Sequence, residues 1–91
     1  MHALVVTVNL EPGHDEEGVE YVKSNVVPLV RQSPGFVSGY WLAPSGGQGL
    51  TVLLFESEET ANAAATMTRQ APTPGFAAVD AVEMREVVAQ A

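Results

Sequence analysis

Two stretches of this chain are apolar on both faces of the strands that they predict. One covers residues 50–55, where Thr51 alone interrupts the apolar run, and the other starts at Leu4-Val5-Val6. A sheet with one face in water alternates apolar and polar residues, whereas a near-continuous apolar run indicates burial of both faces. Only two helices are predicted, and they can cover only one face of a small sheet. The other face is therefore predicted to pack against a second copy of the chain.

The length and composition indicate one domain over residues 1–91. A chain of 91 residues can form a single but thin core, and 46% hydrophobic residues exclude a disordered tail. No apolar run approaches the roughly 20 residues that span a bilayer. The first residues lack the basic region of a secretory signal and enter a strand directly, so we expect a cytoplasmic protein. The absence of cysteine removes disulfides and sulfur-ligated metal centres.

The charge balance is strongly acidic. Four Lys and Arg residues oppose eleven Asp and Glu residues, which gives a net charge of −7. A polyanion or an anionic membrane surface would be repelled at long range. We therefore expect neither nucleic acid nor a membrane as a partner.

Hydrophobic periodicity and turn residues divide the chain into six elements. Strands are predicted at residues 2–10, 36–43, 50–56 and 79–88, and helices at 15–32 and 58–70. Pro28 lies inside the first helix, where it removes a backbone donor and should kink or reset the helix. Residues 44–49 are predicted to form the loop of a hairpin between the second and third strands.

This order of elements predicts an α+β fold of the ferredoxin-like type. It places the four strands in one antiparallel sheet in a βαββαβ arrangement. An internal echo supports two similar halves, because an Arg-Gln pair and then Pro-Gly-Phe occur at each helix-to-strand joint, ending at Phe36 and Phe76. The alternative is that Pro-Gly is simply a common way to end a helix.

The chain resembles the dimeric α+β barrel superfamily in this order of elements and in three local features. These are the Pro34-Gly35-Phe36 joint, the aromatic strand carrying Tyr40-Trp41, and the apolar strand that runs into an acidic helix cap at Ser57. Within it, the chain is most similar to the antibiotic-biosynthesis-monooxygenase-like group. The resemblance implies that two protomers pack sheet against sheet as a homodimer, and that each keeps a pocket between its sheet and its helices. It also implies an apolar, aromatic small molecule as the ligand.

The same resemblance suggests activities and site residues. Cofactor-independent oxygenases of the family hold a phenol, help to deprotonate it and stabilise the resulting anion. Three residues here are of types that serve such catalysis: Asn9, Trp41 and Arg85. Three more are candidates for substrate contacts: Tyr40, Thr51 and Met67. No cofactor is implied for that branch. The haem-degrading branch needs an axial histidine on the second helix, and residues 58–70 contain none, so haem degradation is not expected.

Four of these candidates also have a structural explanation. Tyr40 and Trp41 are neighbours on a strand and must point to opposite faces, so one of them at most lines the pocket while the other packs or meets a partner. Asn9 precedes a turn and can bond its backbone, and Arg85 can pair with Glu83.

His2 and His14 are the only imidazoles, and neither has a second ligand at a metal-binding spacing, so no metal site is predicted. His14 precedes a helix start among acidic residues, where capping or exposure to solvent competes with a role as a general base.

The sequence thus leaves two functions open. One is a homodimer whose pocket binds an aromatic molecule and oxidises it with oxygen. The other is a non-catalytic ligand-binding or accessory dimer in which the same side chains form core and interface, as the small number of acid–base groups suggests.

Overall fold

The order of secondary-structure elements is the one that the sequence predicts. A computed structural model describes residues 1–91. Its elements, in chain order, are the strand β1 (His2–Leu10), the helix α1 (Asp15–Tyr21), a π-helical turn (Val22–Val26), the helix α2 (Val27–Arg31), the strands β2 (Phe36–Ser45) and β3 (Gln48–Phe55), the helix α3 (Glu58–Gln70) and the strand β4 (Ala77–Glu86). The ferredoxin-like α+β fold is confirmed. None of the helices combines the length and the hydropathy that crossing a membrane requires.

The four strands form one sheet in the order β2-β3-β1-β4, with every neighbouring pair antiparallel. The two central strands are therefore β1 and β3, which carry the two apolar runs. Their register pairs Leu4 with Leu53 and Val5 with Val52. Since side chains alternate between faces, the first pair lies on the side that the helices cover and the second on the opposite side.

The first helical segment, residues 15–31, is continuous but not uniform. Between α1 and α2 the backbone forms a π turn, in which the Val27 amide donates to the Val22 carbonyl five residues back. Pro28 follows at once, and it has no amide hydrogen to donate to the Ser24 carbonyl. The wider turn absorbs this mismatch, as is common for π bulges. The predicted resetting of the helix at Pro28 is thus a one-turn change of hydrogen-bonding pattern.

The hairpin between β2 and β3 is tighter than the predicted loop of residues 44–49. β2 continues through Ser45 and β3 begins at Gln48, so only Gly46 and Gly47 lie between them. Both glycines have positive φ angles, 60° and 79°. Two successive residues with positive φ form the type of two-residue turn whose twist matches a β-hairpin.

The helix α3 begins and ends at the predicted residues. Ser57 is its N-cap: the Ser57 hydroxyl accepts from the Thr60 amide at 3.1 Å, and the Thr60 hydroxyl accepts from the Ser57 amide at 3.3 Å. Glu58 and Glu59 lie in the first turn, where carboxylates stabilise the positive end of the helix dipole. This reciprocal cap fixes where α3 starts above the sheet.

The two faces of the sheet are covered very differently. On the helix side, six residues form the buried core: Leu4, Val6, Leu53, Phe55, Ala61 and Ala65. The last two belong to α3, whose small side chains allow close approach to the sheet. On the opposite side, the outer face carries Val5, Val52 and Leu54, which are half-buried, and three large side chains that are 60%, 51% and 38% exposed: Tyr40, Leu42 and Leu50. No element of the chain covers this apolar face.

Candidate functional site

The buried core lies under α3, and no residue elsewhere on the helix side is fully buried. None of the residues of the first helical segment is buried. Three sheet residues on the same side, Val8, Trp41 and Thr51, are half-buried. On this part of the sheet, Trp41 contributes an aromatic ring and Thr51 a hydroxyl, and both side chains keep some exposure.

Trp41 and Thr51 face each other across neighbouring strands. They are paired in the register of β2 and β3, and Trp41 packs against the edge of the core. The indole ring lies back along its own strand over Gly39: a Cβ atom at Gly39 would be 3.2 Å from two carbons of the ring. The missing side chain at Gly39 therefore leaves space that the Trp41 ring occupies. Two of the six predicted site residues are brought together here.

Three other predicted site residues lie on the outer face. Tyr40 precedes Trp41 and points away from the helices, next to Val52. The Asn9 side-chain oxygen accepts a hydrogen bond from the Gln48 side-chain amide at 3.0 Å, so Asn9 binds the neighbouring strand.

Arg85 is also on the outer face, with its guanidinium 3.3 Å from the Glu83 carboxylate. Within this chain, Asn9 and Arg85 do not share a site with Trp41.

Met67 occupies a third location. It is on the exposed side of α3 and lines a cleft of about 200 Å³ that faces the turn before β2. The other lining residues are Ser33, Pro34, Glu59, Thr60, Ala63 and Ala64. Met67 therefore lies apart from both Trp41 and the outer face.

A second cleft, of about 290 Å³, lies between the first helical segment and the residue before β4. We refer to it as the Phe76 groove; its lining residues are Glu17, Glu20, Tyr21, Ser24, Asn25 and Phe76. Sequence reasoning missed these residues. Two features of the sequence could have indicated them. The spacing of residues 17, 20, 21, 24 and 25 places these residues on one face of a helix, and the repeated Pro-Gly-Phe joint ends at Phe76.

The two histidines lie in different surroundings. The His14 ring is stacked on Phe76, with ring centroids 5.0 Å apart and planes 4° from parallel, and its Nδ1 atom is 2.9 Å from the Glu17 carboxylate. The His2 Nε2 atom is 3.8 Å from the Glu58 carboxylate, and its Nδ1 atom is buried without a hydrogen-bond partner. Nowhere do three His, Asp or Glu side chains converge as metal ligands would.

Comparison with known proteins supports the fold. No family model and no curated protein matches the sequence. Among solved structures, the chain is similar to the haem degrader MhuD (Rv3592) of Mycobacterium tuberculosis with two haems in its active site, at 20% identity and a TM-score of 0.77, over 100% of this chain and 99% of that one. It is also similar to NE2512 of Nitrosomonas europaea, a protein of unknown function, at 19% identity and a TM-score of 0.70, over 99% and 91% of the two chains.

A third similar structure is a monooxygenase. It is the product of the gene ActVA-Orf6 of Streptomyces coelicolor in complex with nanaomycin D, with 19% identity and a TM-score of 0.58, over 99% of this chain and 92% of that one. These similarities confirm, at the level of the fold, the resemblance predicted from the sequence. At such low identity the similarity establishes the fold alone.

Proposed function

We propose that this chain, which has the fold of the dimeric α+β barrel superfamily, is a homodimer that binds an apolar, aromatic small molecule between its sheet and its first helical segment and oxidises it with dioxygen. The observation that carries the proposal is the pairing of Trp41 with Thr51 on the helix side of the sheet, where neither side chain is fully buried. An indole ring and a hydroxyl on paired strand positions suit a phenolic ligand, whose ring can stack while its oxygen is hydrogen-bonded.

The chemistry needs little from the protein if the substrate supplies the electrons. A hydroquinone or anthrone-type ring that has lost a proton reduces dioxygen itself, and one oxygen atom is retained while the other leaves as water. In an anthrone the methylene carbon becomes a carbonyl, and its two hydrogens leave in the water. In a naphthohydroquinone a ring C–H becomes C–OH while the ring is oxidised to the quinone. The protein then has to hold the ring, exclude water and stabilise the anion that forms. In this proposal the Thr51 hydroxyl binds the ring oxygen.

Haem, which MhuD binds in its active site, does not fit the residues present here. The helix α3 has no histidine, and His14 is stacked on Phe76 and bonded to Glu17. We therefore assign no haem-dependent step to this chain.

The homodimer is supported by the outer face of the sheet. Its centre is apolar, with Val5, Val52, Leu50, Leu42 and Tyr40 on adjacent strands. Its margin is polar, with the Asn9–Gln48 bond at the hairpin end and the Glu83–Arg85 pair on the edge strand β4. An apolar centre within a polar rim is the anatomy of a protein–protein interface. In the dimer, Asn9, Tyr40 and Arg85 would line the interior between the two sheets.

Trp41 provides the direct test, because it is the only tryptophan in the chain. We would titrate the protein with 1,4-dihydroxynaphthalene while following tryptophan fluorescence anaerobically, and then measure oxygen consumption in air. Thr51→Val should weaken binding by about three- to tenfold, since one hydrogen bond is lost. The matched control is Thr73→Val, on an exposed loop, which should bind as the native protein does.

The second candidate function, ligand binding without turnover, is favoured by the separation of Asn9 and Arg85 from Trp41. Saturable quenching of Trp41 without oxygen consumption would support it over the oxygenase. If no aromatic probe changes the fluorescence, or if Thr51→Val and Thr73→Val behave alike, the ligand does not bind at Trp41 and the proposed site is wrong.

A further inference from the structure

We propose that α1 is a movable cover over the site formed by Trp41 and Thr51, and that it rocks away from the sheet to admit the ligand. The inference rests on the proposed function, since it concerns how a ligand reaches that site. Neither of the two clefts described above is lined by Trp41 or Thr51. Both side chains are half-buried on the side of the sheet that the helices cover. A ring that stacks on the indole therefore needs part of the helical layer to move.

The helical layer is held to the sheet unequally. The helix α3 contributes two fully buried residues, Ala61 and Ala65, and contacts β1, β3 and β4. In contrast, α1 contributes no buried residue, and its main contact with the sheet is with β2, the strand that carries Trp41. The Phe76 groove also leaves about 290 Å³ beside the first helical segment. Elements with few buried apolar contacts open at a lower free-energy cost than the rest of a fold, so α1 is the part of the layer that leaves the sheet most readily.

The helix α1 has a joint at each end where the backbone can bend. On the N-terminal side, residues 11–13 are exposed, and Gly13 has a φ angle of 84° with no heavy atom within 4 Å of the position of a Cβ atom. On the C-terminal side, the π turn Val22–Val26 interrupts the regular hydrogen bonding of the helix, and helices bend at such turns. Beyond the π turn, α2 is anchored, because Val30 packs against the buried core. The two joints therefore allow α1 to rock while α2 stays in place.

Two contacts hold α1 in the closed position. The His14 ring, directly before α1, is stacked on Phe76 with the ring centroids 5.0 Å apart. Gly18, in the middle of α1, lies against Leu10 at the end of β1: a Cβ atom at Gly18 would be 3.2 Å from a methyl carbon of Leu10. None of these four residues belongs to the buried core. Both contacts can therefore break while the core remains intact.

A disulfide that joins α1 to β1 tests the cover by locking it. In the variant Leu10→Cys with Gly18→Cys, the two positions are close enough to bridge, since three side-chain carbons of Leu10 are 3.2, 3.3 and 3.9 Å from a Cβ atom at Gly18. The chain has no other cysteine, and the reduced form of the same variant is the matched control. We expect the disulfide to lower the quenching of Trp41 fluorescence by acrylamide. In anaerobic stopped-flow experiments it should slow the association of 1,4-dihydroxynaphthalene at least about tenfold, because the open state becomes rare.

Phe76→Leu makes the opposite change, because it removes the aromatic stack on His14 and keeps an apolar side chain. Acrylamide quenching of Trp41 should rise, and association of 1,4-dihydroxynaphthalene should become about two- to tenfold faster, as the loss of one aromatic pair allows. The matched control is Phe36→Leu. It also removes a ring from an aromatic pair, but its partner Phe55 belongs to the core under α3, so both quantities should stay near those of the native protein.

The outcomes separate this inference from the proposed function. If the disulfide and reduced forms show the same quenching and the same association rate, α1 is not a cover, while binding at Trp41 stands. If the disulfide changes the quenching but not the association rate, α1 moves without admitting the ligand and the inference is wrong. If the cysteines do not bridge, the two leucine variants decide, and equal effects of Phe76→Leu and Phe36→Leu contradict the cover. If 1,4-dihydroxynaphthalene does not bind the native protein, the proposed function fails and the inference fails with it.

Discussion

A single inserted residue decides which aromatic side chain faces the helices. Phe36 packs against Phe55 on the helix side. Regular alternation of side chains along β2 would place Tyr40 on that side as well. Instead, Phe36 pairs with Phe55 and Ser38 with Leu54, so Val37 is an extra residue in the ladder. Such a bulge shifts the later side chains to the opposite face. Trp41, and not Tyr40, therefore points toward the helices.

The sequence predicts that the two aromatic side chains lie on opposite faces, but not which of them faces the helices. Strand alternation requires Tyr40 and Trp41 to point to opposite faces, and the structure has that arrangement. Nothing in the residues 36–38 marks a bulge, because its position depends on how β2 pairs with β3. Asn9 and Arg85 were grouped with Trp41 for the same reason: residue type suggests chemistry, whereas the face on which a residue lies depends on register.

At the residue scale, Gly39→Ala should disturb both Leu53 and Trp41. The added Cβ atom would be 2.7 Å from Leu53 and 3.2 Å from the indole ring, so the ring or the strand must move. We expect a loss of about 1–3 kcal/mol in the free energy of unfolding, typical of overpacking, together with a shift of the tryptophan emission maximum. Urea denaturation followed by circular dichroism gives the first quantity and fluorescence gives the second.

Gly49→Ala is the matched control for this substitution. Gly49 is on the adjacent strand, and a Cβ atom there would have no heavy atom within 4 Å. Its unfolding free energy and emission should stay near those of the native protein. Equal effects of the two substitutions would show that the contact with the indole ring is not the cause.

At the scale of elements, the boundaries that could be predicted are those with local chemistry. β1 and α3 begin and end where the sequence predicts, since turn residues follow Leu10 and a capping serine precedes Glu58. The hairpin loop was predicted too long, because Pro44 and Ser45 are compatible with a strand end as well as with a loop. The π turn was foreseen only as a kink, since Pro28 reveals a missing donor but not how the backbone compensates for it.

Pro28→Ala tests the cause of the π turn. Alanine restores an amide that can donate to the Ser24 carbonyl, so the turn at Val22–Val26 should close into an ordinary α-helix. Backbone chemical shifts from NMR would report the change, and side chains before residue 26 should rotate relative to the sheet. A π turn that persists in the variant would mean that contacts with the sheet, rather than proline, hold it open.

At the scale of the whole molecule, the uncovered outer face predicts the assembly. Leu42→Glu places a charge on this face, where it would have to be buried against the second protomer. We expect the dimer dissociation constant to rise at least about 100-fold, as it does when a buried anchor is lost. Sedimentation velocity over a dilution series measures this directly.

Leu29→Glu is the control for the assembly experiment. Leu29 is 62% exposed, against 51% for Leu42, but it lies on the helical layer. The same charge there should leave the sedimentation profile unchanged. If the native protein sediments as a monomer at micromolar concentration, or if both variants dissociate equally, the outer face is not the interface.

The order of the strands also has a consequence for synthesis on the ribosome. β1 is made first, yet its two neighbours in the sheet, β3 and β4, begin at Gln48 and Ala77. Almost the entire chain must therefore be translated before the first strand is flanked on both sides, and non-local pairings of this kind slow folding. Until then the nascent strand has two unpaired edges and two exposed apolar faces. Chaperones that bind nascent chains are expected to bind such a segment.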